Sequence, residues 1–216
     1  MTAISSTERT SATLSEQRVT LPNISWQTYQ QILAETGECR RSRLTYDRGV
    51  LEIVVPLEPH ERSNRTIEQF VIEAVEGLDL EVRLIGSTTL DRADLTRGAE
   101  PDSGYYIHRW PVVADRRIDL AQGPPPDLVV EVEMTHSDID KLNLYAAMGI
   151  PEFWRYNGER LQILQLVEGQ YVEVDISSML SVEKVLFDRF MSIVEEEGLI
   201  AARRMLRSHL KARRDR

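Results

Sequence analysis

The sequence predicts a mixed α/β domain built on one central sheet. Three observations carry that expectation. After Pro59, the residues Ile67, Phe70, Val71, Ala74, Val75 and Leu78 recur with helical spacing and form one apolar stripe. Two turn signals, Asp47-Arg48-Gly49 and Asn157-Gly158, lie between alternating runs and mark hairpins. From Asp127 to Tyr156 the pattern runs strand, helix, strand, which suits a crossover between parallel strands.

The elements follow in order. The opening MTAISSTERTSATLSEQ is rich in Ser and Thr and has no continuous apolar run. Residues 1–22 are therefore expected to be a disordered lead-in, not a secretory signal. Ile24 to Thr36 suggests a short helix capped by Ser25. Ser42 to Pro56 gives two strands, and the helix after Pro59 ends at Gly77. Leu80 to Leu90 is strand-like, and a second strand, Asp102 to Ile107, is entered through Pro101. Trp110 to Gly123 has no strong pattern and is expected to be a loop. Asp127 to Met134 is a strand. Ser137 then caps a helix of about 12 residues whose stripe is Ile139, Leu142, Tyr145 and Ala146, stopped by Gly149. Pro151–Tyr156 and Arg160–Val167 pair around Asn157-Gly158, Gln170 to Ile176 adds a strand, and helix runs from Val182 onward. One domain is expected over 23–180, with a helical segment and basic tail over 181–216.

The chain has 216 residues, 28% of them charged and 42% hydrophobic, which suits a single domain with a sizeable core. No apolar run approaches the ~20 residues of a membrane span. A lone cysteine, Cys39, excludes an internal disulfide and a thiolate metal cluster, and the expected location is cytoplasmic. The net charge of -9 argues against a general nucleic-acid coat protein. That charge is uneven: Arg203 to Arg216 carries +6, leaving -15 on the rest. Such a tail is either a solvated helix end or a phosphate-contacting arm.

The strand DLVVEVEM raises the functional question. Side chains two apart share a face, so Asp127, Val129, Glu131 and Glu133 oppose Leu128, Val130, Val132 and Met134. A solvated face is one reading. Glu is disfavoured in strands, however, and two carboxylates about 4 Å apart repel by roughly 4 kcal/mol at a surface-like dielectric. A divalent cation would turn the cluster into a ligand set. Glu100-Pro101-Asp102 brings a further acid to the start of another strand, and Lys141 could fold back from the next helix to the acidic face.

Proline-Asp before a strand, an acid within it and a Lys on the following helix resemble the PD-(D/E)xK nuclease superfamily. A more specific likeness is to the Uma-two family of restriction-endonuclease-like proteins. It rests on PDLVVEV over 126–132, Lys141, Tyr145-Ala146 and GIPEFW over 149–154. Glu100-Pro101-Asp102 matches that family's metal-binding Asp motif, and Pro59-His60-Glu61 also resembles its pattern. The resemblance runs from Ile24 to Val174. It implies a restriction-endonuclease-like α/β fold, a central mixed sheet flanked by helices. It also implies a Mg²⁺-dependent (or Mn²⁺-dependent) endonuclease acting on DNA, with a homodimer as the working form. Asp102 and Glu131 would be metal ligands. In the common motif a Lys stands two residues after the acid, where this chain has Glu133. Lys141 is the replacement the resemblance offers, as in superfamily members whose Lys has moved to the next helix. Glu133 is then a further metal ligand or a bystander. Glu61 or Glu68 could complete the site. The alternative is a binding or regulatory protein that kept the fold and lost the chemistry.

Other marked residues favour structure. Trp154 and Tyr156 are expected in the core, with base stacking as the other use. His136 is a lone loop residue near the strand end, and His60 and His108 are single and unpaired in the sequence. Gly98, Gly104 and Gly123 lack the spacing of a phosphate loop.

Overall fold

In chain order the elements are β1 (Glu16–Leu21), α1 (Trp26–Thr36), β2 (Arg43–Asp47), β3 (Val50–Pro56), α2 (Glu58–Gly77), β4 (Arg83–Leu84), β5 (Leu90–Arg92), a 3-10 turn (Ala93–Leu95), β6 (Arg97–Ala99) and β7 (Ser103–Tyr106). Then come α3 (Trp110–Val113), β8 (Leu128–Val132), α4 (Lys141–Ala147), β9 (Glu152–Tyr156), β10 (Leu161–Val167), β11 (Gln170–Val174), α5 (Lys184–Glu196) and α6 (Leu199–Arg214). They come from a computed structural model that describes residues 16–37 and 41–214. Cys39 and residues 1–15 of the expected lead-in lie outside the described residues.

The strands form two sheets where the sequence suggests one. A five-stranded sheet has the order β1-β3-β2-β6-β5, and a six-stranded sheet the order β11-β10-β9-β8-β7-β4. The run Leu80–Leu90 is not one strand. It breaks at Gly86, which has φ 50°, so Arg83–Leu84 pairs with β7 while Leu90–Arg92 pairs with β6. The chain crosses between the sheets again at Glu100-Pro101-Asp102, from β6 in one sheet to β7 in the other. Proline has no N–H to extend a ladder, which helps end β6 here. Asp102 therefore stands at the junction of the two sheets.

Both hairpins form as expected, with Gly49 at φ 104° and Gly158 at φ 97°. β8 and β9 are parallel and joined through α4, the expected crossover. The lead-in expectation is corrected from Glu16 onward, since Glu16–Leu21 pairs along its whole length with β3. This edge strand buries Glu16 rather than an apolar stripe, so hydrophobic periodicity could not reveal it. The loop over 110–123 contains the short α3. The helix after β8 is also shorter than expected. It starts at Lys141, its cap is Asp140, whose Oδ1 accepts from Asn143 N at 3.1 Å, and its buried stripe is Lys141, Leu144 and Tyr145. Ser137 instead donates to Glu52 in β3.

Strand β8 is covered on both sides. Leu128, Val130 and Val132 pack with Ile67, Phe70 and Val71 of α2 and with Phe187, Phe190 and Leu206 of α5 and α6. Val129 packs on the other face with Leu144, Tyr145 and Phe153. Trp154 and Tyr156 are in the first of these cores, as expected. α6 lies close on the end of α2. A Cβ at Gly77 would sit 2.6 Å from Leu210 Cδ1. Arg203 and Arg207 both reach the buried Glu73 of α2, at 2.5 and 2.9 Å. Two arginines of the basic tail are thus committed to holding helices together, on the sheet face opposite Glu131. Among the described residues no helix is long and apolar enough to cross a membrane.

Candidate active site

The polar face of β8 is not a wet face: Glu131 is 3% exposed. Alternation in β8 turns it away from the α2 core and toward α4, whose first turn carries Lys141. Lys141 Nζ donates to Glu131 Oε2 at 2.8 Å and lies 3.4 Å from Glu133 Oε1. Tyr145, one helical turn on, donates to Glu131 Oε1. The third acid of that face, Asp127, does other work at the far end of β8. Its Oδ2 accepts from Ile107 N at 2.7 Å and Arg109 N at 3.0 Å, which pins the loop after β7.

Asp102 arrives from the sheet junction. Its Oδ2 accepts from Val132 N at 2.7 Å, so the aspartate is tied to the end of β8 beside Glu131. His60 Nε2 stands 3.2 Å from Oδ2, and Arg43 Nε stands 3.2 Å from Oδ1. Arg43 also donates to Glu61 Oε1 at 2.9 Å. Three carboxylates, Asp102, Glu131 and Glu133, are therefore interleaved with Lys141, Arg43 and His60. This reverses the sign of the repulsion that the sequence alone suggests.

The electrostatics follow from this packing. Burial pushes the Glu131 carboxyl up to about 7; Lys141 offsets this, and Asp102 and Glu133 add to it. Burial opposes the Lys141 ammonium, yet Glu131, Glu133 and Asp102 hold its pKa above the usual lysine range. Burial also opposes ionisation of Asp102, but His60, Arg43 and Lys141 keep it below the usual carboxylate range. For His60, the loss of solvent is outweighed mainly by Asp102, so the imidazolium is favoured. A stability prediction follows for protein kept in chelator. Between the ordinary glutamate value of 4.5 and about 7, the folded chain binds a proton on Glu131 that the unfolded chain has released. Stability contributed by this group therefore falls as pH rises through that window, by up to about 3 kcal/mol across it. Urea midpoints measured over the window should show the fall, and Glu131→Gln should flatten it. An equal slope in the variant would rule the assignment out.

All four residues singled out from the sequence, Asp102, Glu131, Glu133 and Lys141, are brought together. Glu61 joins through Arg43. Glu68 does not: it pairs with Arg65 at 3.2 Å. His60, unpaired in the sequence, proves to be buried against Asp102, with Glu16 Oε2 at 3.6 Å on its other side. Arg43, Glu16 and Glu52 carry no motif that would have marked them, and Tyr145, part of the Tyr145-Ala146 likeness, was expected only in the apolar stripe of its helix. His136 is exposed, and His108 Nε2 bonds Met179 O at 3.0 Å.

Among the described residues no three His, Cys, Asp or Glu side chains form a group able to hold a metal ion. The donor set at the junction is a two-carboxylate one. Each oxygen of Asp102 and Glu131 already accepts a bond or faces a cation, yet a carboxylate has about four lone-pair sites. Two hard oxygens suit Mg²⁺ or Mn²⁺, ions that keep much of their water shell. Glu133 fits less well, since it lies on the far side of the Lys141 ammonium's bond to Glu131, 3.4 Å from Nζ, and lines the open cleft. A cleft of about 500 Å³ opens beside these groups, lined by Glu133, His136, Asp140, Lys141, Arg155 and Gln162 among others.

No curated protein matches the chain. A family model described as "Putative restriction endonuclease" matches residues 26–191, which include every residue of the Asp102–Glu131–Lys141 cluster, and the chain belongs to that family, Uma2.

Proposed function

We propose that the protein is a divalent-metal-dependent endonuclease that hydrolyses phosphodiester bonds in DNA. The observation that supports this best is the 2.8 Å contact between Lys141 and Glu131. Glu133 stands where the common motif has Lys, and Lys141 of α4 supplies an ammonium to Glu131 instead. Asp102 and Glu131 would hold Mg²⁺ or Mn²⁺. When bound, the ion supplies Lewis acidity and a water of lowered pKa. Tyr145 fixes one oxygen of Glu131 while Lys141 holds the other, so the carboxylate is oriented before substrate arrives. His60, Arg43 and the Val132 amide fix Asp102 in the same way. Lys141 is left to orient the attacking water or to offset charge developing on the phosphate.

Purified protein with Mg²⁺ or Mn²⁺ is expected to nick supercoiled plasmid. Asp102→Ala and Glu131→Ala should each abolish nicking, and nicking at the unaltered rate by either variant would overturn the reading. A second reading has one observation in its favour: Lys141 is nearly buried and shared between Glu131 and Glu133. A protein that kept the fold and lost the chemistry would look the same. Calorimetry separates the two, because that reading predicts no metal binding that depends on Asp102 or Glu131.

A further inference from the structure

We infer that Arg155 forms a phosphate-binding subsite in the cleft beside the candidate centre, taking a backbone phosphate of the DNA strand next to the one cleaved; this rests on the nuclease reading above. Arg155 on β9 is the register partner of Glu131 on β8, so the two side chains leave the sheet side by side on one face. On its other side, Arg155 is the register partner of Gln162 on β10. Gln162 Oε1 accepts from both Nε and Nη2 of Arg155, at 2.9 and 2.6 Å. Gln162 is itself fixed, since its Nε2 donates to Glu173 Oε2 at 2.9 Å. A chain of three side chains thus spans three strands and holds one edge of the guanidinium.

The other edge points into the cleft. Nη1 stands 4.0 Å from Glu133 Oε2, beyond hydrogen-bond reach, so the apparent ion pair is not a bonded one. The Arg155 side chain is 34% exposed, whereas Lys141, the other lysine or arginine of the cleft lining, is 8% exposed and held by two carboxylates. Glu133, Asp138 and Asp140 line the same space and repel an anion. Of the two lysine or arginine side chains lining the cleft, Arg155 is the one left open to a phosphate. A planar guanidinium fixed along one edge presents its remaining donors in the fork that matches two phosphate oxygens.

The test is equilibrium binding of a fluorescein-labelled duplex DNA, with Ca²⁺ replacing Mg²⁺, at several KCl concentrations. Arg155→Gln is expected to bind roughly tenfold more weakly. Its plot of log affinity against log salt should be shallower by about one unit, the loss of one phosphate contact. Arg155→Lys keeps the charge but loses the fork, so the slope should match the unaltered protein while affinity falls by a few-fold. If Arg155 only braced Gln162, both variants would melt earlier and neither would change the slope. Unchanged slope and affinity in Arg155→Gln overturn the subsite and leave the nuclease reading standing. Failure of the unaltered protein to bind DNA overturns both. If Arg155→Gln does not fold, Arg155→Lys decides alone, and unchanged affinity in it overturns the inference.

Discussion

Lys141→Met is expected to destabilise the protein by about 3–5 kcal/mol and to remove nicking altogether. Methionine keeps the length and apolar stem of the side chain, so packing in the first turn of α4 changes little. What is lost is the cation that compensates Glu131, which is buried, and Glu133. Glu131 must then be protonated to stay in place, so the destabilisation should grow as pH rises. Adding Glu131→Gln should recover most of the stability and none of the activity, because a neutral amide no longer needs the ammonium. Urea unfolding of the two single variants and the double variant measures the coupling directly. A single Lys141→Met protein as stable as the unaltered one would show that the pair is not what holds α4 to β8. A nicking-competent one would show that the Lys role lies elsewhere.

The sequence revealed elements whose signals are local. The hairpins at Gly49 and Gly158 declare themselves through turn chemistry, and α2 through a stripe that continues for three turns. The crossover β8-α4-β9 is legible because a buried strand, a helix and another strand follow in quick succession. What was not legible depends on partners far along the chain. β1 looks like a polar lead-in because its buried residue is Glu16, which makes sense only beside Arg18, His60 and Thr135. The single sheet becomes two because the chain changes sheets at Gly86 and at Pro101, and neither residue says which strand lies across from it. Ser137 has the composition of a cap, but Glu52, 85 residues earlier, takes its hydroxyl, and Asp140 caps the helix instead. At the site, the acids and Lys141 were visible as a pattern on three elements, the entry to β7, β8 and α4. His60 was marked only by the Pro59-His60-Glu61 likeness, and its place at the site was not legible, since that comes from a contact with Asp102 made across the fold.

Glu152→Ala should be nearly as destabilising as Lys141→Met, by at least about 3 kcal/mol, and yet should leave nicking per folded molecule intact. Glu152 lies in the GIPEFW stretch that marks the family resemblance and is fully buried, so motif and burial together would nominate it for catalysis. Its partners argue otherwise. Oε1 accepts from Trp154 Nε1 at 2.7 Å and Ser177 Oγ at 2.6 Å. Oε2 accepts from Ser178 N at 2.7 Å, Ser178 Oγ at 2.8 Å and Met179 N at 3.3 Å. Five neutral donors stabilise the carboxylate and tie the segment after β11 to the start of β9. Glu131 is buried too, but its neighbours are an ammonium, a phenol and two other acids; burial, with Asp102 and Glu133 adding and Lys141 offsetting, pushes its carboxyl up to about 7. A structural acid is satisfied by dipoles, whereas an acid kept for chemistry is left among charges that can be rearranged. Alanine at 152 strands the buried donors Trp154 Nε1 and Ser177 Oγ and leaves three part-buried ones without their acceptor. The measurement is nicking rate per folded molecule, with the folded fraction taken from circular dichroism, alongside the urea midpoint. An inactive but fully stable Glu152→Ala protein would reverse the assignment and move the functional acid from β8 to β9.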